Sequence, residues 1–292
     1  MKQLLIGLGF ILLWSSASVA TKFGITEVPP FLLATVRFLG AGLLMLGFGY
    51  GLASQRHKLP RGKEWLHLLL FGLLNTTVYL GAFVWALREV PAGIGSLAVA
   101  TNPLFIAILS SLWLKRPIKW AELLGIFLGL AGITVAALPV LQQQSSSLAG
   151  LLILLAGMLS VSIATVYYTS VKWKLAPLIV NGWQVLLGGL CLIPATLATT
   201  DWTAVHWTPR FWGAELWLIF AVSICALQLW FYLVRRDPVQ AALWLFLSPL
   251  FGFAYAALLL HEHLTYYTLA GTLLVISGLY LAQRWKKRDV QA

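Results

Sequence analysis

Residues 30–51 read PFLLATVRFLGAGLLMLGFGYG and residues 177–198 read PLIVNGWQVLLGGLCLIPATLA. Each is an apolar run of about the 20 residues that a helix needs to cross the hydrocarbon layer of a bilayer. Each opens on a proline, which the first turn of a helix tolerates because the missing N–H has no intrahelical partner there. Laying the second run on the first, a shift of 147 residues, places Pro30 on Pro177, Arg37 on Gln184 and Gly42 on Gly189, and carries Pro91 onto Pro238. A shift of 146 continues the match with Pro103 on Pro249, Gly125 on Gly271 and Gly132 on Gly278. Leucine matching leucine between apolar helices means nothing, but matched prolines and glycines in order point to internal duplication. The expected units are residues 1–141 and 148–292.

Composition sets the environment. The chain has 292 residues, 60% hydrophobic and 10% charged, with a mean hydropathy of +0.86. A soluble domain carries roughly 45–50% apolar and about 25% charged residues, so a soluble enzyme, a secreted disulfide scaffold and a disordered chain are all excluded. Charged and proline-rich punctuation separates ten apolar runs, near 3–22, 30–51, 65–87, 91–114, 121–140, 149–171, 178–198, 213–234, 238–260 and 266–284. Lipid admits only helices or a closed barrel, and these runs lack the two-residue alternation of barrel strands. The expected fold is an all-α polytopic membrane protein of ten transmembrane helices. Five spans per unit is an odd number, so the second unit enters from the opposite face and the two form an inverted 5+5 repeat. Lys2 and the run ending Ser18-Val19-Ala20 resemble a signal peptide, but the run exceeds a signal core in length and has a later counterpart, so it reads as span 1. Cys191 and Cys225 fall inside apolar runs and read as inert packing.

Orientation follows from the basic residues behind the net charge of +11. With the N-terminus inside, the cytoplasmic segments hold sixteen: Lys2, Arg56, Lys58, Arg61, Lys63, Lys115, Arg116, Lys119, Lys172, Lys174, Arg235, Arg236, Arg284, Lys286, Lys287 and Arg288. The other side holds Lys22, Arg88 and Arg210. The positive-inside rule therefore puts both termini in the cytoplasm, and the charge serves membrane loops rather than nucleic acid. Trp65, Trp113, Trp120, Trp173, Trp207 and Trp285 lie near span ends, where indoles favour the headgroup region. Lys115-Arg116-Pro117 aligns with His261-Glu262-His263, and Arg88-Glu89-Val90 with Arg235-Arg236-Asp237. Basic residues thus change copies as the membrane face changes. Similar bundles related by inversion give two near-equal conformations, one open to each side, with the substrate held between them at mid-depth.

Leu13-Trp14-Ser15-Ser16, Pro30 through Arg37-Phe38, Phe83 to Leu87 before Pro91, Asn102-Pro103-Leu104-Phe105, Glu262, and Gly271 with Gly278 form an ordered set spanning the chain. The set resembles the EamA-type members of the drug/metabolite transporter superfamily. Lys115-Arg116-Pro117 departs from that pattern, because such proteins often place there a glutamate like Glu262. The resemblance implies metabolite transport, often export of amino acids or related small molecules, at an inner or plasma membrane and without a cofactor.

Polar groups at bilayer depth are costly and face protein interior or a wet cavity. The expected substrate-binding residues are Trp14, Ser18, Asn75, Tyr79, Asn102, Ser162, Gln228, Trp244 and Ser248. Trp14/Ser18, Asn75/Tyr79, Gln228/Tyr232 and Trp244/Ser248 are i,i+4 pairs that share a helix face. The competing reading is packing and hydrogen bonding to the helix's own backbone. Pro103 and Pro249 are expected as mid-helix kinks that free a carbonyl and allow rocking. Arg37 begins about 10 Å below the outer surface at 1.5 Å per residue; it reads as a structural clamp or a snorkelling side chain, with carboxylate binding as the alternative. Glu122 and Glu215 are assigned to span ends, so no carboxylate relay and no acidic site for organic cations are expected. The few basic residues in the spans argue against sugar phosphates. The expected cargo is a small neutral or zwitterionic metabolite with a flat apolar part. Gly125-x-x-x-Gly129, Gly271 and Gly278 suit close packing within a monomer, with dimerisation as the alternative. His261-Glu262-His263 lacks zinc-protease spacing and reads as a solvated loop. The other functions weighed are broad efflux of lipophilic compounds and, from another class, a membrane-embedded lipid-handling enzyme, which would need a reactive group facing the chamber.

Overall fold

A computed structural model describes residues 2–52, 57–113, 120–142, 148–236, 241 and 244–288. Arg56, Lys115-Arg116-Pro117, Lys119, Asp237 and Pro238 lie outside the described residues, as do the side chains of Glu122, Arg284, Trp285, Lys286, Lys287 and Arg288. Among the described residues every regular element is a helix. In chain order they are α1 (Gln3–Ile25), α2 (Pro30–Gly51), α3 (Lys63–Ala86), α4 (Ala92–Trp113), α5 (Trp120–Gln142), α6 (Leu148–Ser170), α7 (Pro177–Thr199), α8 (Pro209–Arg235), α9 (Ser248–Leu260) and α10 (Tyr266–Arg288). Seven are long and apolar enough to cross a membrane, namely α1 to α4 and α6 to α8. The apolar parts of the others are shorter: Leu123–Ala136, Ser248–Leu260 and Tyr266–Gly278.

Their surface belongs in lipid. Leu43, Leu66, Phe127, Leu197, Phe220, Leu258 and Leu273 all stand exposed on different helices, and water would oppose so continuous an apolar surface. Cys225 is exposed on the same surface, so it is not the packing residue its apolar surroundings imply. The protein is a multi-pass membrane protein.

Glycines set the closest helix contacts. A Cβ on Gly132 would lie 2.6 Å from the carbonyl oxygen of Gly271, and one on Gly278 would lie 2.8 Å from that of Gly125. These contacts seat α10 on α5. A Cβ on Gly42 would come within 2.9 Å of Leu186 Cα, and one on Gly189 within 3.2 Å of Leu39 N, which seats α2 on α7. The neighbours exchange under the sequence shift, because Leu39 moved by 147 becomes Leu186. The wider packing behaves alike. Swapping α1–α5 for α6–α10 leaves the pairs α2·α7, α4·α9 and α5·α10 unchanged and turns α1·α8 into α6·α3, α1·α9 into α6·α4 and α2·α8 into α7·α3, all of them observed.

Helix irregularities fall where the halves meet. α3 widens into a π-helical segment over Leu73–Val78, and α8 does so over Leu218–Ala226. α4 breaks at a turn over Ala100 and Thr101, between Ala92–Val99 and Asn102–Trp113. In the ninth apolar run a 3-10 turn over Leu245–Leu247 precedes the helix that starts at Ser248. Pro103 and Pro249 therefore sit in the first turn of a new helical segment instead of kinking a continuous one. That is the helix position where a missing N–H costs least.

Candidate functional site

Two small cavities lie between the halves. The first, about 20 Å³, is lined by Trp14, Ser18, Arg37, Tyr79, Ser96 and Ser248 with Phe83, Val99 and Val222 beside them. The second, about 30 Å³, is lined by Phe10, Trp14, Asn75, Asn102, Thr165 and Trp230. Trp14 walls both. Each has room for a water molecule or two.

The first cavity is rich in hydroxyls and holds a buried cation. Ser18 and Ser96 share a 2.6 Å hydrogen bond between α1 and α4, and Ser15 donates to Ser248 across 3.4 Å. Arg37 is 2% exposed, and its Nε donates to Ser223 Oγ at 2.9 Å. It is thus a clamp to a neighbouring helix, as one sequence reading has it, but it does not snorkel outward. Its counterpart in the second half makes the matching contact. Gln184 Oε1 accepts from Thr76 Oγ1 at 2.7 Å, and Arg37 and Thr76 moved by 147 become Gln184 and Ser223. Both hydroxyls lie on the π-helical segments, a form that often marks functional sites.

The Gln184 contact extends into a network. Gln184 Nε2 donates to Asn181 Oδ1 at 3.0 Å, Asn181 donates to the Ser223 carbonyl at 3.3 Å, and Asn75 Nδ2 donates to Gln184 Oε1 at 3.4 Å. Such a network offers each buried amide the partners that hydrocarbon lacks. The second cavity is mostly aromatic, with Phe10 stacked on Trp230 at 5.2 Å between centroids and tilted against Trp14 at 5.8 Å. Asn102 adds a buried Oδ1 that accepts no hydrogen bond among the described residues.

The structure brings Trp14, Ser18, Asn75, Tyr79, Asn102 and Ser248 together around the cavities and leaves out three other expected residues. Ser162 donates to the Met158 carbonyl one turn back at 2.8 Å, the common resting place of an intramembrane hydroxyl. Trp244 packs over Gly7 of α1. Gln228 lines an open vestibule of about 450 Å³ with His57, Tyr232 and Arg235, at the end of the bundle that carries the N-terminus. The Asn75/Tyr79 pair is split between the two cavities, because the π-helical segment between them breaks the four-residue register. Ser96, Gln184 and Trp230 are site residues that the sequence reading does not select. Gln184 was within reach of the repeat, since it aligns with Arg37.

Glu215 lies near the start of α8, as expected, but it does not face headgroups or solvent. It is wholly buried, interacts electrostatically with Arg37, and neither oxygen accepts a hydrogen bond among the described residues. Six residues from the start of α8 would place it near headgroups, but α1 and α2 pack over that turn.

Contacts between the halves tie the helices together toward both ends of the bundle. At the end away from the N-terminus, Glu262 accepts hydrogen bonds from the amides of Ala92, at 2.8 Å, and Gly93, at 3.2 Å. It caps the first turn of α4, where a carboxylate also meets the positive end of the helix dipole. Glu262 is therefore a fixed inter-helix contact and not the solvated loop residue expected. At the other end, Tyr168 packs against Phe71 at 5.2 Å, Trp173 at 5.7 Å and Phe231 at 4.9 Å.

These features define a polytopic helical membrane protein with small cavities between its helices, lined by hydroxyls, amides and aromatic rings. Sequence comparison gives the family: the EamA-like transporter family matches residues 1–138 and 148–283. The chain belongs to that family, and it is a membrane transporter and not an enzyme. An uncharacterized transporter of Synechocystis is 28% identical over 96% of this chain and 89% of its own length. The uncharacterized inner membrane transporter YedA of Escherichia coli is 31% identical over 82% of this chain and 76% of its own. A chloroplastic WAT1-related protein of Arabidopsis thaliana is 26% identical over 92% of this chain and 66% of its own. One crystal structure shares the fold, with a TM-score of 0.69 over 98% of both chains at 19% identity.

Proposed function

We propose that the protein is a secondary transporter of small neutral or zwitterionic metabolites, built as an inverted 5+5 repeat of ten spans and working by alternating access. The observation that carries this reading is the chamber at the junction of the halves, with Trp14, Ser18, Tyr79 and Ser248 on one cavity and Asn75 and Asn102 on the other. Helix contacts that persist when the halves are exchanged support the repeat, and inverted repeats supply two near-equal conformations. Aromatic walls beside amides and hydroxyls suit amino acids or related aromatic compounds. The protein works in the inner (plasma) membrane with both termini in the cytoplasm, as a monomer whose partners are its cargo and the bilayer. Export is the expected direction.

Proteoliposomes holding the purified protein test this reading. Counterflow of a labelled amino acid or aromatic metabolite, abolished by closing the chamber with Ser96→Trp, is the expected result. Consumption of a lipid without movement of any metabolite would replace transport by catalysis.

A further inference from the structure

Arg37 carries a guanidinium and Glu215 a carboxyl group, and both are buried within one bundle. Arg37 uses its Nε on Ser223 and also lines the first cavity, beside the Ser18, Ser96 and Ser248 hydroxyls. Glu215 is 0% exposed and both its oxygens lack a hydrogen bond among the described residues. The two interact electrostatically, and the cavity lining includes Arg37 but not Glu215. The elements packed on this part of α8 bring few other charges. α2 brings Arg37; α1 brings Lys22, whose electrostatic partner is Glu262; and Tyr79 of α3 stands beside Arg37. Arg210, five residues before Glu215 on α8, faces Glu27 at 3.9 Å.

Burying an unmatched charge is costly even after relaxation, so pairing Glu215 with Arg37 keeps the site near neutrality while it is empty. A carboxylate entering the first cavity meets a guanidinium with free N–H groups and three hydroxyls able to turn and donate. Two carboxylates would then face one guanidinium in a dry site. The less costly state is the one in which one of them holds a proton, and Glu215, without any hydrogen-bond donor of its own, is the group that yields.

Resting on the transport reading above, we infer that Arg37 anchors the carboxylate of the cargo and that Glu215 takes up one proton from solvent as that carboxylate binds. Cargo and proton then occupy the site together and are released together. Their combined gradients set the direction of net movement.

The test uses the full-length protein purified in detergent and two pairs of probes, phenylacetate with phenylacetamide and benzoate with benzamide. Binding is read by the rise in unfolding temperature, and proton uptake by a pH dye in weakly buffered solution. The expected result is a shift with the carboxylates and little with the amides, uptake of one proton per carboxylate bound, and an affinity that falls about tenfold per pH unit once Glu215 is ionised. Glu215→Gln should bind the carboxylates without proton uptake or pH dependence. Arg37→Gln copies the residue of the aligned position, and so should fold while losing the preference for carboxylates; Arg37→Lys should restore part of it. Equal shifts from acids and amides would overturn the role of Arg37 and leave the transport reading intact. Carboxylate binding without proton uptake in the unaltered protein would overturn the role of Glu215. No shift from any probe would count against both readings at once.

Discussion

Thr76, Asn75 and Gln184 show how single residues are held at mid-depth. The side-chain oxygen Oε1 of Gln184 takes one hydrogen bond from each of the other two, and the residue is fully buried. Leaving a buried donor unsatisfied costs about 1–3 kcal/mol. Gln184→Leu should therefore lower the midpoint of thermal unfolding in detergent, and Gln184→Leu combined with Thr76→Val should recover part of the loss. An additive effect of the two changes would show that the contact carries no coupling. Asn102 and Trp244 are separated by the same logic. Asn102→Ala should weaken the thermal shift caused by any ligand of the second cavity, because its Oδ1 lies buried there without a partner. Trp244→Ala should leave that shift in place while lowering stability, since its indole covers Gly7. An unaltered ligand shift in Asn102→Ala would remove Asn102 from the site.

Glycine decides whether two helices can touch. On α10, a methyl at Gly271 would meet Ala136 Cβ at 2.6 Å and Ala136 N at 2.9 Å, and backbone cannot step aside. On α2, a methyl at Gly47 would meet nothing within 4 Å. Gly271→Ala should destabilise the protein by about 1–3 kcal/mol, the range for overpacking a tight contact. Gly47→Ala should be neutral or stabilising by about 0.5 kcal/mol, because alanine loses less chain entropy on entering a helix. The two midpoints in one unfolding series check both. Equal effects would mean that the α5·α10 contact is looser than it stands.

Across the whole molecule, the contact between the halves is polar toward one end and aromatic toward the other. Glu262 ties the start of α4 at one end, while Tyr168, Phe71, Trp173 and Phe231 pack together toward the other. Removing the carboxylate releases two helix amides together, so Glu262→Ala should favour conformations open at that end. With Cys191 and Cys225 replaced by serine, Ser96→Cys should react faster with a membrane-impermeant thiol reagent applied from the Glu262 side once Glu262 is alanine. Glu262→Gln, which keeps one acceptor, should fall between. Unaltered reaction rates in Glu262→Ala would show that this contact does not hold the end shut.

Some of this is written along the chain and some is not. Apolar runs of span length, the prolines and glycines that recur at a constant offset, and the excess of lysine and arginine on alternate segments are local or periodic properties. They determine a membrane-embedded helical protein because a bilayer leaves a backbone no other way to satisfy its hydrogen bonds. Which polar residues share a cavity depends on helix phase and on neighbours distant in sequence. The π-helical segments at Leu73–Val78 and Leu218–Ala226 shift the register of α3 and α8, so Asn75 and Tyr79, four residues apart, line different cavities, and Gln228 lines the vestibule. Counting residues places Glu215 near the start of α8, and only α1 and α2, packed over that part of the helix, bury it where it interacts with Arg37.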